Sequence, residues 1–365
     1  ERNVEAMDMV KELLEASPTP RLWCCLGDLE KEPKHFEKAW ELSKHRFARA
    51  QRSLGRHFFG KGQLAEAIEA FKLAVAINPL HGGIWFTMGC CQMKLERYEE
   101  AVLTFIRCIG VEDENAEAWA NLAACHSALE SHKEARTCMA EATKRSRQSW
   151  RMWESFMGIC LTLRDVQGVI QALKRMVELE QAPRIKERVL GMITMAVVTD
   201  KDGLHDSRTG RAFTAQLSDF FSYLTSRVSS VPWHWRFYAE LQISNGEAVQ
   251  ALESRLKQNR AAQAKIWEER DPESFDKQLE DLKDCFLTVE EMLSEPQLVE
   301  QARQNLQSFA YSVRNAAQTL QAKIDKGVEN RDWAAAVSAF TALVSRLEER
   351  AAKLSTGAAV AEGAS

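Results

Sequence analysis

The stretch with the most chemical potential is Gly55-Arg-His-Phe-Phe-Gly60-Lys61, which fits the G-x-x-x-x-G-K pattern of a phosphate loop. In such a loop backbone N–H groups cradle phosphates, the Lys reaches their far end and a following Ser or Thr holds magnesium. Here Gly62 stands where that hydroxyl is needed, and no strand precedes the motif. Helical periodicity carries Gly55 to Phe59 inside a helix, so the match reads as coincidence and Gly60 and Gly62 as a turn. Asp200-Lys-Asp202-Gly203 hints at a calcium loop, but that loop needs Gly at its sixth position and here Gly is fourth, followed by Leu204. The eight histidines, His57, His126 and His205 among them, form no metal-binding or Ser/His/Asp spacing. The nine cysteines contain no C-x-x-C pair, and most fall on helical faces expected to be buried. They read as free thiols, which place the chain in the cytosol or nucleus. Lys144, Arg145, Arg147 and Arg151 form a basic cluster that reads as the charged end of a helix, with nuclear import or an acidic partner as alternatives.

The elements that hold these residues follow from a ladder of tryptophans. Trp85, Trp119 and Trp153 stand 34 residues apart, the length of the tetratricopeptide helix-turn-helix unit. With Trp as the fourth residue, units begin near Ala48, Gly82, Ala116 and Trp150. Gly55, Gly89 and Ala123 let paired helices approach, and Ala67, Ala101 and Ala135 meet them from the second helix. The tryptophans are packing residues, and truncating Trp85 or Trp119 to Ala should cost about 3–5 kcal/mol. An earlier unit keeps Trp23, Leu26, Gly27 and Ala39 at matching spacing, yet Gly27 to Gly55 is only 28 residues. Its second helix, near Lys34 to Lys44, must therefore run almost directly into the next.

The expected organisation is the end of an upstream repeat over 1–19, tetratricopeptide repeats over 20–181 and divergent helical repeats over 182–293, with a loop near 199–210. Capping helices over 294–354 and a disordered tail over 355–365 complete it. Within this scheme helices are expected over Val4 to Ala16, Arg184 to Val198, Arg211 to Ser229, Trp233 to Ser244 and Glu247 to Trp267. The expected fold class is all-α, a right-handed α-solenoid. The start, Glu1-Arg2-Asn3-Val4, shows no signal peptide and no initiator Met, and reads as a piece of a longer protein. The 365 residues are 45% hydrophobic, and 52 acidic against 48 basic side chains leave a net charge of −4. That balance gives no general attraction to nucleic acid or anionic lipid, and no apolar run reaches the roughly 20 residues a membrane span needs.

On first helices of successive units, residues three or four apart share one face. The second unit offers Arg49, Arg52, Arg56 and Phe59 there; the third offers Phe86 and Cys90; the fourth Asn121 and Glu117; the fifth Arg151. This row reads as a partner-binding groove for an acidic segment, where Arg can bind bidentately, or as a solvated face. The clamp that grips a Glu-Glu-Val-Asp chaperone tail is incomplete in either register. Asn121 and Arg151 fit it, while Phe86, Cys90 and Ser155 do not; one unit earlier, Thr87 and Glu117 break it. Arg52→Glu with Arg56→Glu is expected to weaken client capture without unfolding the chain.

Several phrases are more particular than a generic repeat: Leu26-Gly-Asp28, Lys38-Ala-Trp-Glu-Leu-Ser43, Ala48-Arg-Ala-Gln-Arg-Ser53, Asn115-Ala-Glu-Ala-Trp-Ala-Asn-Leu122, Thr225-Ser-Arg-Val228 and Trp235-Arg-Phe-Tyr238. Between about Leu26 and Leu293 the chain resembles the C-terminal half of the tetratricopeptide repeat protein 27 family. The resemblance implies a non-catalytic intracellular scaffold with chaperone-linked work, assisting maturation of translation-factor-like GTPases, including that of the U5 spliceosomal particle. It implies client proteins or peptide segments and chaperone machinery as partners. No cofactor, metal or membrane is expected; the alternatives are a generic adaptor for an acidic peptide or an RNA-associated scaffold, for which only the basic stretches Arg49 to Arg56 and Lys144 to Arg151 qualify.

Overall fold

A computed structural model describes residues 2–199 and 213–264 continuously, and isolated helical positions between 280 and 352. The expected loop at 199–210 beyond Thr199, the capping helices and the tail lie outside the continuously described residues, as do the calcium-like Asp200 stretch, His205 and Cys285. Among the described residues the fold is all-α, as the periodicity predicts, with fifteen α-helices, one 3-10 turn and no strand. The chain divides into two compact units, residues 1–163 and 164–365.

The first unit holds α1 (Arg2–Ala16), α2 (Pro20–Glu30), α3 (Pro33–Leu42), α4 (Ala48–Gly60), α5 (Leu64–Ile77), α6 (Gly82–Lys94), α7 (Tyr98–Val111), α8 (Ala116–Ala128), α9 (His132–Arg145) and α10 (Trp150–Thr162). The pairs α4/α5, α6/α7 and α8/α9 pack as hairpins, and each second helix packs on the next first helix. Successive first helices α2/α4 and α6/α8 also touch. The short first repeat has a simple cause. Helices α2 and α3 have 11 and 10 residues, against 13 and 14 in α4 and α5. Pro33 starts α3, and Lys44 and His45, with φ of 54° and 63°, end it sharply before α4.

Close approach of paired helices depends on a missing side chain. A Cβ built on Gly55 would sit 2.5 Å from the Phe71 ring, and one on Gly89 would sit 2.7 Å from Phe105. Those rings are in turn the centre of the core, Phe71 at 1% and Phe105 at 0% exposure. Ala67, Ile68, Phe71, Ala74 and Val75 of α5 pack with Ile84, Met88 and Cys91 of α6, and Phe58 and Trp85 cover them. The phosphate-loop match dissolves as expected: Gly55 lies inside α4 and Gly62 takes the turn at φ 76°.

The second unit holds α11 (Val166–Glu178), a 3-10 turn (Ala182–Arg184), α12 (Glu187–Thr199), α13 (Thr214–Arg227), α14 (Pro232–Ser244) and α15 (Ala248–Ala264). Helix α14 is its hub, packing on α12, α13 and α15. The helix expected from Arg184 starts later: Pro183 opens the 3-10 turn, Ile185 is extended at ψ 120°, and α12 resumes at Glu187. Among the described residues no helix is long and apolar enough to cross a membrane.

Candidate functional site

Register puts one face of α2, α4, α6, α8 and α10 forward as the working surface, and its side chains interlock along the stack. Arg49, half-buried at the start of α4, donates from Nη2 to Asp28 Oδ2 on α2 at 3.1 Å and approaches Cys25 Sγ at 3.9 Å. Arg52 Nη1 lies 2.8 Å from His81 Nε2. A guanidinium has no acceptor, so His81 Nε2 accepts and its proton sits on Nδ1. His81 is the cap residue of α6, which makes Arg52 an anchor for the turn entering that helix. Burial, with Arg56 and Arg49 nearby, lowers the Arg52 pKa.

Arg56 is exposed, and no hydrogen bond or ion pair engages it among the described residues. Phe59 carries the Lys94 ammonium 5.1 Å from its ring centroid. Phe86 meets Phe105 edge-on at 6.1 Å. Asn121 on α8 donates from Nδ2 to Cys90 Sγ on α6 at 3.7 Å. Arg151 is exposed at the start of α10, its guanidinium 4.9 Å from the Trp150 ring centroid. The structure thus joins Arg49, Arg52, Phe59 and Asn121 to neighbouring helices or their connecting turn, and leaves Arg56 and Arg151 exposed. In the alternative clamp register Thr87 is already committed, donating to the Gly83 carbonyl at 2.8 Å.

Asp28, His81 and Lys94 complete this face and were not picked out by sequence pattern. Asp28 had a usable signal. Gly27-Asp28 aligns with Gly55-Arg56, which sets an acid in the row just ahead of the arginines. Because Arg52 holds His81, reversing its charge would disturb the turn into α6 as well as any partner contact.

The remaining chemistry-bearing residues are structural. Lys144 and Arg145 pair with Glu141 at 2.6 Å and 2.7 Å, which lowers the Glu141 pKa. Arg145 also lies over the Trp119 ring at 5.0 Å. Burial pushes the Cys24 thiol up to about 12, and those of Cys91, Cys108, Cys125 and Cys138 up to about 11. Such thiols stay protonated and inert near neutral pH. Among the described residues no group of His, Cys, Asp or Glu is placed to hold a metal.

The tetratricopeptide repeat pattern matches residues 36–81 and, as two further units, 82–115 and 116–149. The chain is 34% identical over 271 residues to a tetratricopeptide repeat protein 27 homolog of Dictyostelium discoideum, covering 73% of this chain and 31% of that protein. It is 29% identical over 255 residues to a TPR repeat-containing protein of Schizosaccharomyces pombe, covering 69% and 31%. It is 30% identical over 178 residues to the tetratricopeptide repeat-containing protein trd-1 of Caenorhabditis elegans, covering 48% and 23%. The chain therefore spans about a third or less of the length of these relatives. With three matched units and hairpins built on the expected register, residues 36–149 are tetratricopeptide repeats, and the chain's similarity to the protein 27 homolog bears out the resemblance read from its sequence.

Proposed function

We propose that this chain is the repeat portion of a chaperone-linked assembly factor that holds segments of client proteins on its first-helix face, in the cytosol and nucleus. The clients proposed are translation-factor-like GTPases, including that of the U5 spliceosomal particle, and this part rests on the resemblance to the protein 27 family. The observation that carries the scaffold reading is the division of labour on the face. Arg49, Arg52 and Asn121 tie neighbouring parts of the stack together, while Arg56 and Arg151 stay exposed and open to a partner. Interlocked helices supply a preformed surface, which spares a binding partner part of the ordering cost.

The test is capture from cell extract by the full-length protein carrying Arg56→Glu with Arg151→Glu. Both side chains are exposed, so helicity and melting temperature should be unchanged. GTPase recovery should fall at least about tenfold, the loss expected when charged hydrogen bonds are removed. Undiminished recovery would reject this face as the binding surface.

A further inference from the structure

A cleft of about 480 Å³ opens in the first unit where α2, α3 and α4 meet. Lys31, Arg56 and Lys61 line it, all exposed, and none is engaged in a hydrogen bond or ion pair among the described residues. Helix geometry fixes their backbones, with Arg56 inside α4 and the two lysines at helix ends. Lys31 closes α2 in the left-handed conformation at φ 55°, and Lys61 closes α4. His57 is in the wall, and its Nε2 is buried without a hydrogen-bond partner. Burial, then the charge of Lys61, lowers the His57 pKa and so favours the neutral ring, which keeps one N–H and one acceptor nitrogen. A Cβ on Gly60 would meet nothing within 4 Å, so the space beside the wall is open.

Two carboxylates stand nearby. Asp28 also lines the cleft, but Arg49 already holds it at 3.1 Å. Glu32 acts on His57 more weakly than Lys61 does. Three uncommitted cations against Glu32 leave the cleft with net positive charge and an unmet donor or acceptor. We propose that this cleft binds an anionic group, carboxylate or phosphate, carried on a segment of a partner protein. Its volume suits a side chain with flanking backbone better than a bare ion, and falls in the range of specific ligand sites. Three cations around one cleft do not form the continuous basic strip that nucleic acid needs. The proposal rests on the scaffold reading above and gives that face an anion-selective end.

The test uses the full chain and fluorescence anisotropy with two labelled probes, a hexaglutamate peptide and a phosphoserine hexapeptide, with inorganic phosphate as competitor. Binding of at least one peptide is expected, weakened at least about tenfold by Arg56→Ala with Lys61→Ala. Lys133→Ala, at an exposed position on α9, should leave the affinity unchanged, and circular dichroism melts should coincide for all three proteins. The tighter probe identifies carboxylate or phosphate as the group bound. Equal affinity in wild type and the double variant, or no binding of either peptide, overturns the proposal. So does polyuridylate binding that the double variant loses while neither peptide binds, which would assign the cleft to RNA. GTPase capture by the same proteins separates the two readings. Capture without peptide binding sinks the cleft alone, and peptide binding without any capture sinks the client reading alone.

Discussion

Each tryptophan of the ladder donates its indole N–H to a carbonyl six residues back: Trp85 to Pro79, Trp119 to Asp113 and Trp153 to Arg147, at 2.8–3.0 Å. The ring fills the hairpin interface while the N–H fastens the loop that enters the helix, which a Phe could not do. Trp235 makes the same bond to Ser229 at 2.9 Å, again as the fourth residue of its helix. It marks a further unit that the 34-residue step does not reach, because the intervening chain is not a whole number of repeats. Beside it, His234 is 2% exposed; its Nδ1–H donates to the Val228 carbonyl at 3.3 Å and its Nε2 is buried without a partner. Burial lowers its pKa to about 4. The unfolded ring takes its proton near pH 6.5, so between about 6.5 and 4 the unfolded state binds more protons. His234 therefore costs no stability above about pH 6.5 and up to about 3 kcal/mol as pH falls toward 4. Urea unfolding at pH 7.5 and 4.5 should show this loss in the wild type and a shallower one in His234→Phe; equal losses would refute it.

At the level of elements, hairpin geometry was written in small residues, and the structure gives each a measurable consequence. Gly55→Ala forces a methyl within 2.5 Å of Phe71, which is 1% exposed and has nowhere to move. It should destabilise the chain by about 1–3 kcal/mol. Gly158 lies inside α10 with nothing within 4 Å of a built Cβ, so Gly158→Ala should stabilise by about 0.5–1 kcal/mol. Thermal melts of the two variants should move in opposite directions, and a shared direction would contradict the packing account. Hairpin register and the turn at Gly62 were legible because they rest on local periodicity. The Arg49–Asp28 and Arg52–His81 contacts were not, since each joins residues more than twenty apart through side-chain reach. The 3-10 turn at Ala182–Arg184 was missed because a Pro can begin either a helix or a turn.

For the molecule as a whole, two helix faces of the first unit are candidates for a partner. Besides the first-helix face, the second helices α5 and α7 expose Leu73, Ile77, Leu103 and Ile106 at 41–67%, next to a cleft of about 880 Å³. Exposed apolar groups of this kind also mark interaction sites, so the faces must be told apart by where a client touches. Lysines report on each: Lys31, Lys61 and Lys94 end the first helices α2, α4 and α6, whereas Lys72 and Lys133 lie on the second helices α5 and α9. The most direct measurement is lysine crosslinking with mass spectrometry on the full-length protein in extract. The scaffold account predicts crosslinks from Lys31, Lys61 and Lys94 to a GTPase client. Client crosslinks concentrated on Lys72 and Lys133, or none to any GTPase, would contradict it.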